Sequence, residues 1–243
     1  MANIKGALTR LDGDGDFRGA EVTALRDEAD IIVTNPPFSL FREFMAWLFE
    51  AKKQFLVIGN MNAITYKEIF PLIKDNKMWL GATGFNKGMY FKVPNDFIYA
   101  DSYKFERERG GEKVNLVPGV CWFANIDHGR RHQPLSFMST AANLRYNKSV
   151  NGKSSYDKYD NYEAIEIPHY SSIPSDYNGV MGVPISFLDK YCPEQFDIIG
   201  ATESEGKGFS NGLWLGGTAQ ATIDGNRVYK RIFIKHRNQN NGN

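Results

Sequence analysis

The chain has 243 residues, enough to bury a full apolar core, and its composition (42% hydrophobic, 23% charged) is that of a globular protein. Its net charge is only +1, so no overall basic field draws it to nucleic acid, and any contact with DNA has to come from local patches. Two cysteines without metal-ligand spacing, a polar and acidic start and the lack of a long apolar run predict a cytoplasmic protein with no metal site and no membrane span.

An acidic stretch from Asp12 to Phe17 is the first motif. It does not match a calcium-binding loop, because Phe17 occupies the position of the sharp-turn glycine. It does not match a dinucleotide-binding loop either, since its glycines are wrongly spaced and no apolar strand precedes them. A plain acidic surface turn is the alternative to a functional role. Residues 20–28 then predict a short amphipathic helix.

Residues 30–38, with the sequence Asp-Ile-Ile-Val-Thr-Asn-Pro-Pro-Phe, organise the rest of the chain. Their consecutive β-branched residues predict a central strand that is buried on both faces. The two prolines end this strand, because proline cannot donate to a sheet ladder. Ser39 is the expected cap of a following helix. The apolar stripe of that helix consists of Phe41, Phe44, Met45 and Leu48.

Strand and helix patterns alternate as far as residue 84. Residues 54–58 predict a second buried strand, residues 65–68 a capping box that opens a helix, and residues 77–81 a third strand. This alternation is typical of a parallel sheet in a doubly wound α/β fold. Side chains at the carboxyl ends of such strands line the crevice where open α/β sheets bind ligands.

After residue 84 the alternation stops, and the sequence becomes β-rich and loop-rich. The predicted strands cover residues 89–91, 120–123, 196–199 and 228–235. Residues 145–162 are polar and rich in tyrosine and lysine, which predicts an exposed loop. We therefore divide the chain into a partial catalytic domain (1–84), a β-rich region with DNA target recognition (85–237) and a disordered tail (238–243).

Taken together, several segments resemble the EcoRI-type adenine-specific DNA methyltransferases. They lie between residues 13 and 200 and comprise residues 13–18, 30–44, 58–70, 182–191 and 195–200. The resemblance implies a Rossmann-like sheet that binds S-adenosylmethionine. It also implies methyl transfer to adenine N6 in a short sequence of double-stranded DNA, as the modification enzyme of a restriction–modification system with a cognate restriction endonuclease.

By position, the resemblance implies a catalytic pocket made of Asn35, Pro36, Pro37 and Phe38. An exocyclic amine on a base is a poor nucleophile, because its lone pair is delocalised into the ring. The Asn35 amide and the Pro36 carbonyl can accept its two hydrogens and favour a pyramidal nitrogen, which stabilises mainly the transition state. Phe38 offers a face for a base flipped out of the duplex.

In the same family an acidic–aromatic pair contacts the adenine of S-adenosylmethionine, and Asp16 with Phe17 stands at that position. The family also has a glycine-rich loop for the methionine half, which is absent before Asp12. The glycines of residues 206–208 and 216–218 lack its lead-in. We therefore expect a partial sheet without its N-terminal strands, either truncated or completed by a separate N-terminal half. We also expect the chain alone to methylate slowly or not at all.

For DNA contacts, residues 130–132 (Arg-Arg-His) are a candidate phosphate or guanine grip, and residues 146–162 a candidate backbone contact. Plain surface charge is the alternative for both. Two other functions stay open. The same amine chemistry suits cytosine N4, RNA adenine or a protein glutamine amide, and the missing glycine loop also suits a non-catalytic DNA-binding remnant.

Overall fold

The computed structural model describes residues 10–85, 87–96, 106–203 and 206–237, with the backbone alone for residues 106–109. These residues form a mixed α/β fold. Its helices are α1 (Ala20–Glu28), α2 (Phe41–Glu50), α3 (Phe70–Lys74) and α4 (Thr140–Tyr146). Its strands are β1 (Ile31–Thr34), β2 (Gln54–Asn60), β3 (Trp79–Leu80), β4 (Met89–Lys92), β5 (Glu106–Arg109), β6 (Glu112–Val117), β7 (Val120–Ala124), β8 (Ile165–Glu166), β9 (Met181–Pro184), β10 (Phe196–Ala201), β11 (Thr222–Ile223), β12 (Asn226–Arg227) and β13 (Arg231–His236). The predicted disordered tail lies outside the described residues.

The first sheet has the strand order β1-β2-β7-β3. β1 and β2 are parallel, with Thr34 opposite Val57, as the sequence predicts. The predicted continuation to a third neighbouring parallel strand is wrong, because β7 lies between β2 and β3 and is antiparallel to both. β3 has only two residues and can satisfy few main-chain groups, whereas β7 pairs with residues 56–60 of β2.

β1 is an edge strand, and its predicted burial on both faces is wrong. Ile31 and Val33 expose 49% and 63% of their surfaces, while Ile32 packs partly against the core. Among the described residues, β1 has β2 as its one strand partner. An unpaired strand side with apolar residues is a surface that proteins usually cover.

The α2 helix lies over this sheet and buries its predicted stripe. The predicted Ser39 cap is wrong, because Ser39 lies in a 3-10 turn (Phe38–Leu40) and α2 begins only at Phe41. The predicted capping box at residues 65–68 is wrong for a similar reason. The Thr65 hydroxyl closes a 3-10 turn by donating to the Asn62 carbonyl at 2.9 Å, a local bond that competes with helix capping.

Short strands dominate the second half, as predicted, in a sheet of order β10-β13-β9-β8, a three-stranded sheet β4-β6-β5 and the pair β11-β12. The predicted exposed loop at residues 145–162 holds for residues 151–155, which are exposed. It is wrong for Tyr156, Tyr159 and Tyr162, which are buried. Each hydroxyl finds an internal partner, such as the Ser172 carbonyl at 2.6 Å from Tyr156. Tyrosine is buried readily when its hydroxyl is satisfied.

One apolar core runs through both halves, with Phe41 from α2, Phe123 from the first sheet and Phe196 from the second sheet. The strand β7 lies after residue 84 but belongs to the sheet formed by β1, β2 and β3. The division into two domains at residue 84 therefore stays a prediction. Within the described residues, every helix falls short of the length and apolarity that crossing a bilayer requires.

Candidate active site

Residues 35–38 follow directly on β1, at the edge of the sheet where the carboxyl ends of β1 and β2 meet. Gly59, near the end of β2, leaves space for two aromatic rings at this end of the sheet. A Cβ at that position would lie 2.6 Å from the Phe41 ring and 2.8 Å from the Phe123 ring. Glycine therefore allows Phe41, three residues after Phe38, to pack directly on the sheet and fixes where the turn leaves it.

The turn exposes the amide of Asn35 and the ring of Phe38, while the first of the two prolines between them, Pro36, is buried. Pro36 is buried, whereas Asn35 and Pro37 are exposed and Phe38 exposes 39% of its surface. The Pro37 carbonyl accepts a hydrogen bond from the Leu40 amide at 3.0 Å, which closes the turn. The Asn35 side chain makes no hydrogen bond with any residue in the described ranges. Its oxygen is therefore available to an incoming donor.

Phe17 packs against the same helix that follows the turn, and Arg18, which binds Asp16, lies 3.6 Å from Glu43 of that helix. Phe17 exposes 8% of its surface, and its ring centroid lies 5.1 Å from that of Phe44 and 5.5 Å from that of Trp47. The Asp16 carboxylate lies 2.7 Å from the Arg18 guanidinium. Hydrogen bonds from Arg18 lower the pKa of Asp16 to about 2. The structure thus connects both predicted site segments to α2.

The predicted DNA grip at residues 130–132 is occupied by contacts inside the protein. Arg130 binds the Asp189 carboxylate at 2.7 Å. Arg131 is buried, lies 3.7 Å from the Trp79 ring centroid and binds Asp127 at 3.2 Å. A buried, stacked guanidinium cannot reach a phosphate, so the prediction is wrong for Arg131. These arginines hold the end of the first sheet to the second half.

His132 bridges two carboxylates, Asp127 at 2.8 Å and Glu194 at 2.7 Å. Hydrogen bonds to Asp127 and then to Glu194 raise the pKa of His132 above its ordinary value of 6.5. The charged imidazole is thus bound more tightly in the folded chain than in the unfolded chain.

Because this pKa is raised on folding, the stability that His132 contributes is complete below pH 6.5 and is lost as the pH rises through the raised value. We expect the melting-temperature difference between the native chain and His132→Gln to be largest at the acidic end and to shrink with rising pH. Thermal melts of both proteins, from below pH 6.5 to above the raised pKa of His132, measure this difference. A difference that does not depend on pH contradicts the prediction.

Comparison with known proteins decides the family. The sequence profile described as "Adenine-specific methyltransferase EcoRI" matches residues 1–237 of this chain. The chain belongs to the EcoRI family of adenine-specific methyltransferases. The resemblance that the sequence segments predict is therefore confirmed.

Three proteins named type II methyltransferases are similar over most of this chain. Type II methyltransferase M.EcoRI of Escherichia coli is 42% identical over 227 residues, which cover 93% of this chain and 63% of M.EcoRI. M.MgeORF184P of Mycoplasma genitalium is 40% identical over 192 residues (79% and 58%), and M.MpnI of Mycoplasma pneumoniae is 39% identical over 191 residues (78% and 57%). The matched part thus spans 57 to 63% of these relatives. No solved structure matches the chain.

Membership in the EcoRI family implies S-adenosylmethionine, and the described residues suit one end of it. The Asp16 carboxylate is 35% exposed and can accept a hydrogen bond from an adenine amine. Phe17 has little ring surface left, because Phe44 and Trp47 already cover it. The glycine-rich loop that holds the methionine half of S-adenosylmethionine is not found before β1 within the described residues. The fit is therefore limited to the adenine end.

Proposed function

We propose that this chain is the catalytic part of a site-specific DNA methyltransferase that methylates adenine at N6, using S-adenosylmethionine and double-stranded DNA. We also propose that it serves a restriction–modification system, since its relatives are named type II methyltransferases. The observation that carries the proposal is the exposed Asn35 amide, which makes no hydrogen bond with any described residue, beside the partly exposed Phe38 ring at the carboxyl end of β1.

The residues of this turn supply acceptors for a nitrogen that is a poor nucleophile. The Asn35 amide oxygen and the Pro36 carbonyl accept the two N6 hydrogens, so the nitrogen lone pair is no longer held in the ring. Because these bonds strengthen as the nitrogen becomes pyramidal, they stabilise the transition state more than the bound base. Phe38 stacks on the flipped adenine and keeps its plane fixed.

S-adenosylmethionine supplies a methyl group on a sulfonium sulfur. The N6 lone pair forms the new bond to carbon while the sulfur–methyl bond breaks, and N6 then loses one proton. An amide such as that of Asn35 is too weak a base to keep this proton, so it passes to water. The turn therefore acts by orienting the amine and not as a general base.

We further infer that β1, α2 and β2 are one unit of a Rossmann-like methyltransferase sheet. Its support is the parallel pairing of two strands joined by a helix, with the catalytic turn at the carboxyl edge. Ligands of open α/β sheets bind at that edge.

Methyl transfer to unmethylated duplex DNA tests the function. We expect the chain, supplied with radiolabelled S-adenosylmethionine, to label DNA, and nucleoside analysis by mass spectrometry to identify N6-methyladenine. Labelled N4-methylcytosine, or labelled RNA or protein in parallel reactions, would assign the same amine chemistry to another substrate. Absence of labelled nucleoside from every substrate contradicts catalysis by this chain alone.

A second candidate is one half of a split methyltransferase, or a remnant that binds DNA without catalysis. The unpaired side of β1, with Ile31 and Val33 exposed, favours the split form, because a further strand would cover it. Adding the part of M.EcoRI that this chain does not match is the test. Restored transfer supports a split enzyme, whereas DNA binding without transfer in either case supports the remnant.

A further inference from the structure

A groove lined by basic side chains includes Arg42, which lies four residues after the candidate catalytic turn. It has a volume of about 360 Å³ and lies between the start of α2, the segment after β2 and the strands β10 and β13. It contains one acidic lining residue, Glu68. The basic residues that line it are Arg42, Lys67, Lys207, Lys230 and Arg231. In a chain whose net charge is +1, this is a local concentration of positive charge.

Three of these cations, Arg42, Lys67 and Lys230, outnumber the carboxylates that face them. The Glu68 carboxylate lies 4.0 Å from the Arg42 guanidinium and 3.6 Å from the Lys67 ammonium, so one anion faces two cations. Lys230 forms no ion pair with any residue that the structure describes. Arg231 differs, because its guanidinium binds the buried Glu166 carboxylate at 2.7 Å. Arg42, Lys67 and Lys230 therefore provide charge for an outside partner.

Aromatic rings line the groove, and one of them supports the side chain of Arg42. The rings of Phe70 and Phe209, one from each half of the chain, meet with their centroids 5.9 Å apart in the floor of the groove. The Arg42 guanidinium lies over the Tyr66 ring, 5.5 Å from its centroid. Packing of this kind limits the freedom of a long side chain, so less entropy is lost when it binds an anion.

The groove continues past the strand β13. A second cavity, of about 660 Å³, shares Thr202 and Lys230 with it and is lined also by Trp214, Arg227 and the buried Glu203. Tyr229, next to Lys230 in the chain, exposes 69% of its surface. A positive path with aromatic faces along it is the surface on which a nucleic-acid backbone binds.

We propose that this groove binds the sugar–phosphate backbone of DNA next to the adenine that residues 35–38 receive. Arg42 follows Phe38 by four residues, so their Cα atoms lie within about 14 Å of each other, which keeps a phosphate bound by Arg42 near a base stacked on Phe38. A nucleotide is extruded by rotation about its backbone, and a backbone held on one side gives that rotation a fixed pivot. The inference rests on the proposed function.

The test is the salt dependence of DNA binding by the full chain. The probe is a fluorescently labelled duplex of mixed sequence, and the variants are Lys67→Gln, Lys230→Gln and their double variant. Each lost phosphate contact lowers the slope of log K against log salt by about 0.9. We expect the double variant to lose roughly two units of slope. Lys52→Gln, an exposed lysine outside the groove and before β2, at the opposite end of the sheet from the candidate turn, should leave the slope unchanged.

An unchanged slope in the double variant overturns the proposal, and so does absence of duplex binding by the unmodified chain at low salt. The charge-retaining pair Lys67→Arg and Lys230→Arg should keep the slope; if it lowers the slope as the glutamine pair does, charge is not the cause and the proposal fails. Because binding is measured without methyl transfer, a reduced slope in a chain that does not methylate supports the groove while contradicting the catalytic function.

Discussion

Replacing Asn35 with alanine should reduce the rate of methyl transfer by roughly 10²- to 10³-fold, the usual loss when one group that stabilises a transition state is removed. The exposed amide makes no hydrogen bond within the described residues, so its removal costs little folding stability. Single-turnover rates under conditions where the unmodified chain is active, alone or with the complementing segment, measure the effect. DNA affinity should change little, since the interaction belongs to the transition state.

Asn62→Ala is the matched control, because Asn62 is also an exposed asparagine at the same edge of the sheet, just after β2. It should transfer methyl groups at nearly the native rate. If Asn35→Ala transfers as fast as this control, the amide does not orient the amine and the mechanism fails. A slow Asn35→Ala variant whose melting temperature has also collapsed would report unfolding and contradict a purely catalytic role.

Replacing Glu166 with alanine should destabilise the fold by about 3–5 kcal/mol, the usual cost of removing one partner of a buried ion pair. Glu166 is buried and binds Arg231 at 2.7 Å, while the Tyr159 hydroxyl donates to the same carboxylate. Burial alone would lower the pKa of Arg231, but the Glu166 carboxylate raises it, so the guanidinium stays charged. Without Glu166 that charge remains buried and unpaired.

Thermal melting measures this effect, and a chain of this size should lose roughly 6 to 20 °C in melting temperature. Glu163→Ala is the control, because Glu163 lies three residues earlier but is exposed. It should melt within a few degrees of the native chain. Equal melting temperatures for the two variants would mean that the buried pair contributes nothing to the fold.

Elements whose signal is local could be predicted from the sequence. The α2 stripe repeats with the period of a helix, so its four buried residues follow directly from their spacing. The pairing of β2 with β7 could not be predicted, because it joins residues far apart in the chain. The Asn125 side chain that supports it accepts from the Phe55 amide at 2.7 Å and donates to the Lys53 carbonyl at 2.9 Å. No local sequence pattern predicts hydrogen bonds between residues so far apart in the chain.

The candidate site divides in the same way. Residues 35–38 carry their chemistry in consecutive positions, so the sequence alone identifies them. Arg131 was a poor candidate for DNA because its burial depends on Trp79, a distant residue that provides the stacking surface. Lys67 and Lys230 come from separate segments that only the fold brings to one groove. The sequence could therefore predict that DNA contacts come from patches, but not which residues form them.

The position of β1 at the border of its sheet has a consequence for regulation. The strand that carries the proposed methyl-transfer turn is braced by main-chain bonds from one neighbour among the described residues, so the turn inherits whatever motion the strand retains. Any segment that docks along Ile31 and Val33 would stiffen Asn35 without touching the substrate. On the proposed mechanism, we expect turnover to depend partly on what lies alongside β1.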